Sequence, residues 1–181
     1  YTHPQSSAAS DVYNRQELIE DVKRLDRLNI SDGFNIIQND ISKFENELKK
    51  LKKIGVKVSV LNEKEIEAIG MNLLFAVGKG SESPSKVVVL EWKGGKRDAK
   101  PTALIGKGVV FDSGGLSLKS SSGMVDMAMD MAGAAVVGGV FKSVALSKLK
   151  VNVVGLIGLV ENMPGPSSMR PGDILKSLKG D

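Results

Sequence analysis

Apolar positions along this chain keep two rhythms. Leu18, Ile19, Val22, Leu25 and Leu28 recur at helical spacing and predict an amphipathic helix over Asn14 to Ile30. Ile37, Ile41, Phe44, Leu48 and Leu51 repeat the pattern over Asp32 to Ile54, and Gly55 follows as a residue suited to a left-handed cap. The period then falls to two in VKVSVL, residues 56–61, which predicts a strand. Asn62 with Glu65 three residues on resembles a capping box and starts a short helix reaching Gly70. A strap, GMNLLFAVGKGSESPSK, leads to two strands, KVVVLEW (86–92) and TALIGKGVVFD (102–112), joined by the polar turn GGKRDAK. Val125 to Lys148 reads as the main helix, with Gly133, Ala134, Ala135, Gly138 and Gly139 letting it lie close to a sheet. Val151 to Val160 is almost wholly apolar, as expected of a strand buried on both faces. The chain ends in a loop, ENMPGPSSMRPGD, and an amphipathic turn, ILKSLKG, while residues 1–11 are polar and aperiodic.

A strand, a helix of about 24 residues and a buried strand make a βαβ unit. The expected architecture is a three-layer α/β/α sandwich on a mostly parallel mixed sheet, preceded by an N-terminal helical segment.

Composition narrows the chemistry. The chain has no cysteine, and its one histidine is His3, near a chain end. That argues against disulfides, thiolate metal sites, Ser-His-Asp or Cys-His catalysis and histidine-rich zinc sites. Any metal must be held by carboxylates, carbonyls or a neutral lysine. The most apolar stretch, Met131 to Phe141, has 11 residues against the roughly 20 of a bilayer span, so it is read as core. The absence of a signal-peptide pattern favours the cytoplasm. The net charge of +4 comes largely from lysines at 49, 50, 52 and 53 and from the run Lys93 to Lys100. No aromatic residue is interleaved with them, so they are read as a solvated helix face and a hairpin tip, not as a nucleic-acid surface.

The stretch GKGVVFDSGGLSLKSSSGMVDMAMDMAGAA, residues 106–135, places Lys107, Asp112, Lys119, Asp126 and Asp130 where a buried strand and a packed helix are expected. Lys107 and Asp112 are five apart, so a regular strand would send them to opposite faces. Either a bulge among Gly108 to Phe111 brings them together, or the strand ends before Asp112. Ser113, Gly114 and Gly115 suit a sharp turn at the carboxyl end of a strand, where open α/β sheets place ligands. Asp126 and Asp130 share a face if the main helix is continuous, as do Met124, Met127 and Met131 at related spacings. Two carboxylates do not define a metal site. At this level a Lys-Asp network neutralising buried charge is the leading reading, and a site for divalent cations is the other. Serines 120–122 read as a flexible linker with no histidine to activate them.

GKGVVFDSGGLSLK, MDMAGAA, NVVGLIGLVENMP and RPGDIL resemble, in order and spacing, the catalytic domain of the leucyl (cytosol) aminopeptidases, the M17 metallopeptidases. The resemblance runs from about Phe44, so residues 44–181 are taken as the N-terminal part of that domain and residues 1–43 as an unaligned loop and helical segment. It raises the metal reading above the network. It implies a two-metal peptide hydrolase that releases N-terminal amino acids, leucine-like ones preferred, using zinc, manganese or magnesium, with cytoplasmic homo-hexamers and peptide substrates. By this resemblance Lys107 and Asp130 hold the tighter ion, Asp112 lies between the ions, Lys119 polarises the scissile carbonyl, and Met127 lines the pocket for the first side chain. The family continues after RPGDIL into an NTDAEGR-like segment, which brings one aspartate and one glutamate ligand and an arginine that holds a bicarbonate. The chain given stops at Asp181, with three of the five ligands, so alone it is expected to bind metal poorly and to lack appreciable activity. Ser120, where proline is common, and MAMDM, where a bulkier pattern is usual, are smaller departures. The alternative is a non-catalytic subunit that uses the fold without its metals.

Overall fold

The computed structural model describes residues 40–180. The expected helix Asn14–Ile30 and the first part of the one beginning at Asp32 lie outside the described residues. Helix α1 spans Ile41–Lys50, capped by the Asp40 carboxylate, which accepts from the Ser42 and Lys43 amides. A 3-10 turn, Leu51–Ile54, continues it to Gly55, whose φ of 93° supplies the left-handed stop. Strand β1 (Lys57–Leu61) is followed by α2 (Glu63–Ala68), and here Asn62 and Glu65 form the expected capping box. The strap contains a second short helix, α3 (Asn72–Gly78), which the sequence reading passed over. Strands β2 (Lys86–Lys93) and β3 (Thr102–Asp112) come next, and β4 is Asn152–Asn162.

Two expectations fail between β3 and β4. Val125–Met129 is a 3-10 turn preceded by a single helical turn, α4 (Ser121–Met124), and the long helix α5 runs only from Ala132 to Leu146. Asp126 and Asp130 therefore do not share an α-helical face. Ser120 is a cap for α4 and not merely linker, since its Oγ accepts from the Gly123 amide. By length and composition Ser121–Leu146 would suffice to cross a membrane. The chain instead breaks it at Asp130 and Met131, and α5 is the crossover packed on the sheet. At the other end, the expected amphipathic turn is reduced to residues 178–179, residues 174–177 carry no regular structure, and Ile174 is fully exposed.

The sheet order is β1-β2-β4-β3. Strand β4 inserts between β2 and β3, so the segment 94–101 is a crossover loop and not a hairpin tip. The β3–β4 pair is parallel, as the βαβ unit requires, whereas β1–β2 and β2–β4 are antiparallel. The sheet is thus mixed, with its parallel pairing confined to the unit that carries the charged stretch.

Glycines on β4 reveal the layers. A Cβ on Gly155 would stand 2.6 Å from Phe141 of α5, and one on Gly158 would stand 2.7 Å from Leu74 of α3. Residues three apart on a strand face opposite ways, so α5 and α3 cover opposite faces. The larger core lies on the α5 side, where Phe44 and Leu48 of α1 and Phe141 of α5 meet Val88, Leu90, Ile157 and Leu159, all fully buried. Burying each of these side chains stabilises the fold by about 1.5–3 kcal/mol. The close approach of α5 depends less on its own glycines than on the strand beneath it. A Cβ on Gly106 of β3 would lie 2.8 Å from the Ala134 Cα, whereas one on Gly139 would meet nothing within 4 Å.

Candidate active site at the carboxyl ends of the parallel strands

A bulge decides the site. Val109 pairs with Val160 and Phe111 with Glu161, so Val110 is an extra residue in β3. Lys107 consequently stands opposite Gly158 and Asp112 opposite Asn162, partners four apart on β4. The bulge restores to one face two side chains that a regular strand would separate.

Beyond Asp112 the chain turns through Gly114 (φ 92°) and Gly115 (φ 68°), both in the left-handed region that favours glycine. The turn is tied to the end of β4, where the Asn162 carbonyl accepts from the Ser113 amide at 2.9 Å and from the Ser113 hydroxyl at 2.6 Å. The Ser113 carbonyl accepts from the Lys119 amide at 2.9 Å, which closes the loop and returns the lysine to the strand end.

Two ion pairs result. The Lys119 ammonium donates to Asp112 Oδ2 at 2.6 Å, to the Asp112 carbonyl at 3.2 Å and to the Met127 sulfur at 2.9 Å. Lys107 donates to Asp130 Oδ1 at 2.6 Å. The Met127 carbonyl accepts from the Asp130 amide at 3.3 Å, so one 3-10 turn presents both partners to the two lysines. Lys107, Asp112, Lys119, Met127 and Asp130, the residues to which the resemblance gives roles, thus fall within these two groups, while Asp126, also singled out in the charged stretch, is exposed and outside them. Asn162 was missed. Its side-chain amide donates to Asp112 Oδ1 at 2.7 Å, beside the Gly114 amide at 2.9 Å. The signal was a polar residue closing an apolar strand, in the motif NVVGLIGLVENMP.

Burial alone would raise the Asp112 pKa. The Lys119 ammonium and the Gly114 and Asn162 donors outweigh it and hold the carboxyl below its ordinary value. Asp130 differs: its Oδ2 is buried and has no hydrogen-bond partner among the described residues. A buried carboxylate oxygen without a partner is costly, and a cation is one way to satisfy it. No cluster of three His, Cys, Asp or Glu side chains that could hold a metal occurs among the described residues. Acidic donors alone therefore make no cage. With Lys107 counted as a nitrogen donor, the set of Lys107, Asp112 and Asp130 suits borderline or hard divalent ions and fits a partial metal site.

A cleft of about 640 Å³ lies elsewhere, between the ends of β2 and β4 and the loop after Lys93, and holds none of these residues. Its acidic group, Glu91, is taken by Lys57 and Lys93. A smaller cavity of about 140 Å³, lined by Ala76, Gly114, Gly115, Asn162 and Met169, adjoins the candidate site.

The chain is similar to known proteins over most of its length. A probable cytosol aminopeptidase of Dinoroseobacter shibae is 56% identical over 140 residues, covering 77% of this chain and 28% of that protein. One of Rhizobium rhizogenes is 44% identical over 177 residues, covering 98% of this chain and 35% of that protein. Among solved structures, the cytosol aminopeptidase from Coxiella burnetii superposes with a TM-score of 0.73 at 35% identity, covering 78% of this chain and 30% of the other. The bottromycin maturation enzyme BotP in complex with Mn gives 0.71 at 34% identity, with the same shares. The chain spans about a third or less of the length of these relatives. Residues 35–181 match the catalytic domain of the cytosol aminopeptidase family, and the chain belongs to that family.

Proposed function

We propose that this chain carries the lysine-bearing half of the active site of a metal-dependent aminopeptidase, which releases leucine-like N-terminal residues from peptides. The observation that carries the reading is Asp130 Oδ2, a buried carboxylate oxygen with no partner among the described residues, on a side chain that Lys107 holds by its other oxygen. Lys107 and Asp130 would hold the tighter of two divalent ions, and Asp112 would contribute a carboxylate to the same site. Divalent ions of this kind, zinc, manganese or magnesium, supply Lewis acidity and an activated water at neutral pH. Lys119 stabilises the negative charge that develops on the scissile carbonyl oxygen, and Met127, in contact with it, borders the pocket for the first side chain. Further acidic ligands and a bicarbonate-holding arginine come from polypeptide beyond this chain, which accords with the small share of its relatives that it covers. The assembled protein is a cytoplasmic homo-hexamer.

The test is hydrolysis of a leucyl amide by the full-length protein loaded with Mn²⁺ or Zn²⁺. Loss of turnover in Asp112→Ala and in Asp130→Ala is the expected result, and unchanged turnover in both rejects the site.

One observation favours a non-catalytic scaffold: both lysines already have carboxylate partners, so the charges are balanced without ions. Metal titration separates the readings, because a scaffold of this kind takes up no divalent ion at Asp130.

A further inference from the structure

Asp112 is not held by Lys119 alone. Its Oδ1 accepts from the Gly114 amide at 2.9 Å and from Asn162 Nδ2 at 2.7 Å, which leaves Oδ2 to Lys119 at 2.6 Å. The amide orientation is fixed by chemistry, because an ionised carboxylate only accepts and the NH₂ must face it. Asn162 is itself anchored. It is the register partner of Asp112 across the parallel pair, and its carbonyl takes two hydrogen bonds from Ser113, whose side chain is buried. Its Oδ1 sits over the turn, 2.8 Å from where a Cβ on Gly115 would be. The one residue of β4 that faces Asp112 thus binds the carboxylate by its side chain and the following turn by its backbone.

We infer that Asn162 is a positioning residue: it fixes the rotamer of Asp112, so that Oδ1 is spent on the protein and Oδ2 is the oxygen presented to the site. The inference rests on the metal reading above only for its consequence. The orientation itself concerns this chain's own atoms. A carboxylate free to rotate offers its ion either oxygen at a cost in order, and removal of a residue that orients a ligand typically weakens metal binding by about 10–100-fold.

Two measurements on the full-length protein test this. The first is the set of three-bond couplings of the Asp112 β-protons without metal. Wild type should report one rotamer, and Asn162→Ala should report averaging among several. The second is calorimetric titration with Mn²⁺, in which Asn162→Ala should bind about 10–100-fold more weakly than wild type. Asn162→Leu, close in shape but without the donor, serves if the alanine variant does not fold, and the same averaging is expected. A single Asp112 rotamer retained in the folded variant overturns the inference. So does Mn²⁺ affinity equal to that of a wild type that binds. Failure of wild type to bind Mn²⁺ rejects the metal reading, while rotamer averaging in the variant would still support the role of Asn162.

Discussion

Lys119 and Asp112 show what a single charge does at this strand end. The lysine faces one carboxylate oxygen, a carbonyl and a sulfur, so its ammonium is oriented before any substrate arrives. On the proposed function, Lys119→Ala in the full-length protein should lower kcat on a leucyl amide by about 100–1000-fold, the usual loss when a preorganised donor to a developing oxyanion is removed. A KM effect alone would place the lysine in binding only. For Asp112 the direction of the shift sets a pH dependence. Its folded pKa lies below the ordinary value of 3.8, so the group adds stability above that value and loses it as pH falls through the folded pKa. Urea midpoints should drop between pH 5 and pH 2, and Asp112→Asn should flatten that acid limb (window on the order of the ordinary carboxyl range). Glu45 behaves likewise. Burial opposes its charge, but Lys49 and Lys86 override it and lower the pKa.

Among the elements, α5 and β3 depend on each other through small residues. Gly106→Ala would drive a Cβ against the backbone of Ala134 and should cost about 1–3 kcal/mol, because the helix has to move outward. Gly139→Ala, on the same helix with nothing near, should stabilise by about 0.4–1 kcal/mol by restricting the unfolded chain. Chemical denaturation of the two variants should give opposite signs. Equal signs would mean that the close approach of β3 to α5 at Gly106 does not govern this layer. The element scale is also where sequence reading was strongest and then failed. The strands and the Asn62 capping box were legible because period two and cap chemistry are local signals. The break of the main helix at Asp130 was not, since VDMAMDMAGAA has continuous helical composition. What interrupts it is tertiary: Lys107 and Lys119, reaching from β3 and its turn, take Asp130 and Met127.

For the whole molecule the βαβ unit is the organising piece, with α5 on one face of the sheet and α3 on the other, and with both ion pairs at the end where β3 and β4 finish. A ligand that binds only the folded state raises stability by mass action, by about 2.7 kcal/mol at a hundredfold excess over Kd. Mn²⁺ should therefore raise the melting temperature of the full-length protein in a dose-dependent way. Asp130→Ala should abolish most of that rise. Equal shifts in both proteins would indicate ion binding elsewhere.

The sequence by itself determined the elements of the sheet, the glycine turn after Asp112, the lack of cysteine in this chain, and the family resemblance carried by several separated motifs. Each of these is written in neighbouring residues, or in residue types that are simply missing. The tertiary structure alone decided the insertion of β4 between β2 and β3, the bulge at Val110 that puts Lys107 and Asp112 on one face, and the place of Asn162 against Asp112. Strand order and register depend on which apolar faces can be covered at once, and the two residues of the Asp112–Asn162 contact are 50 positions apart along the chain. No local pattern encodes a partner at that distance.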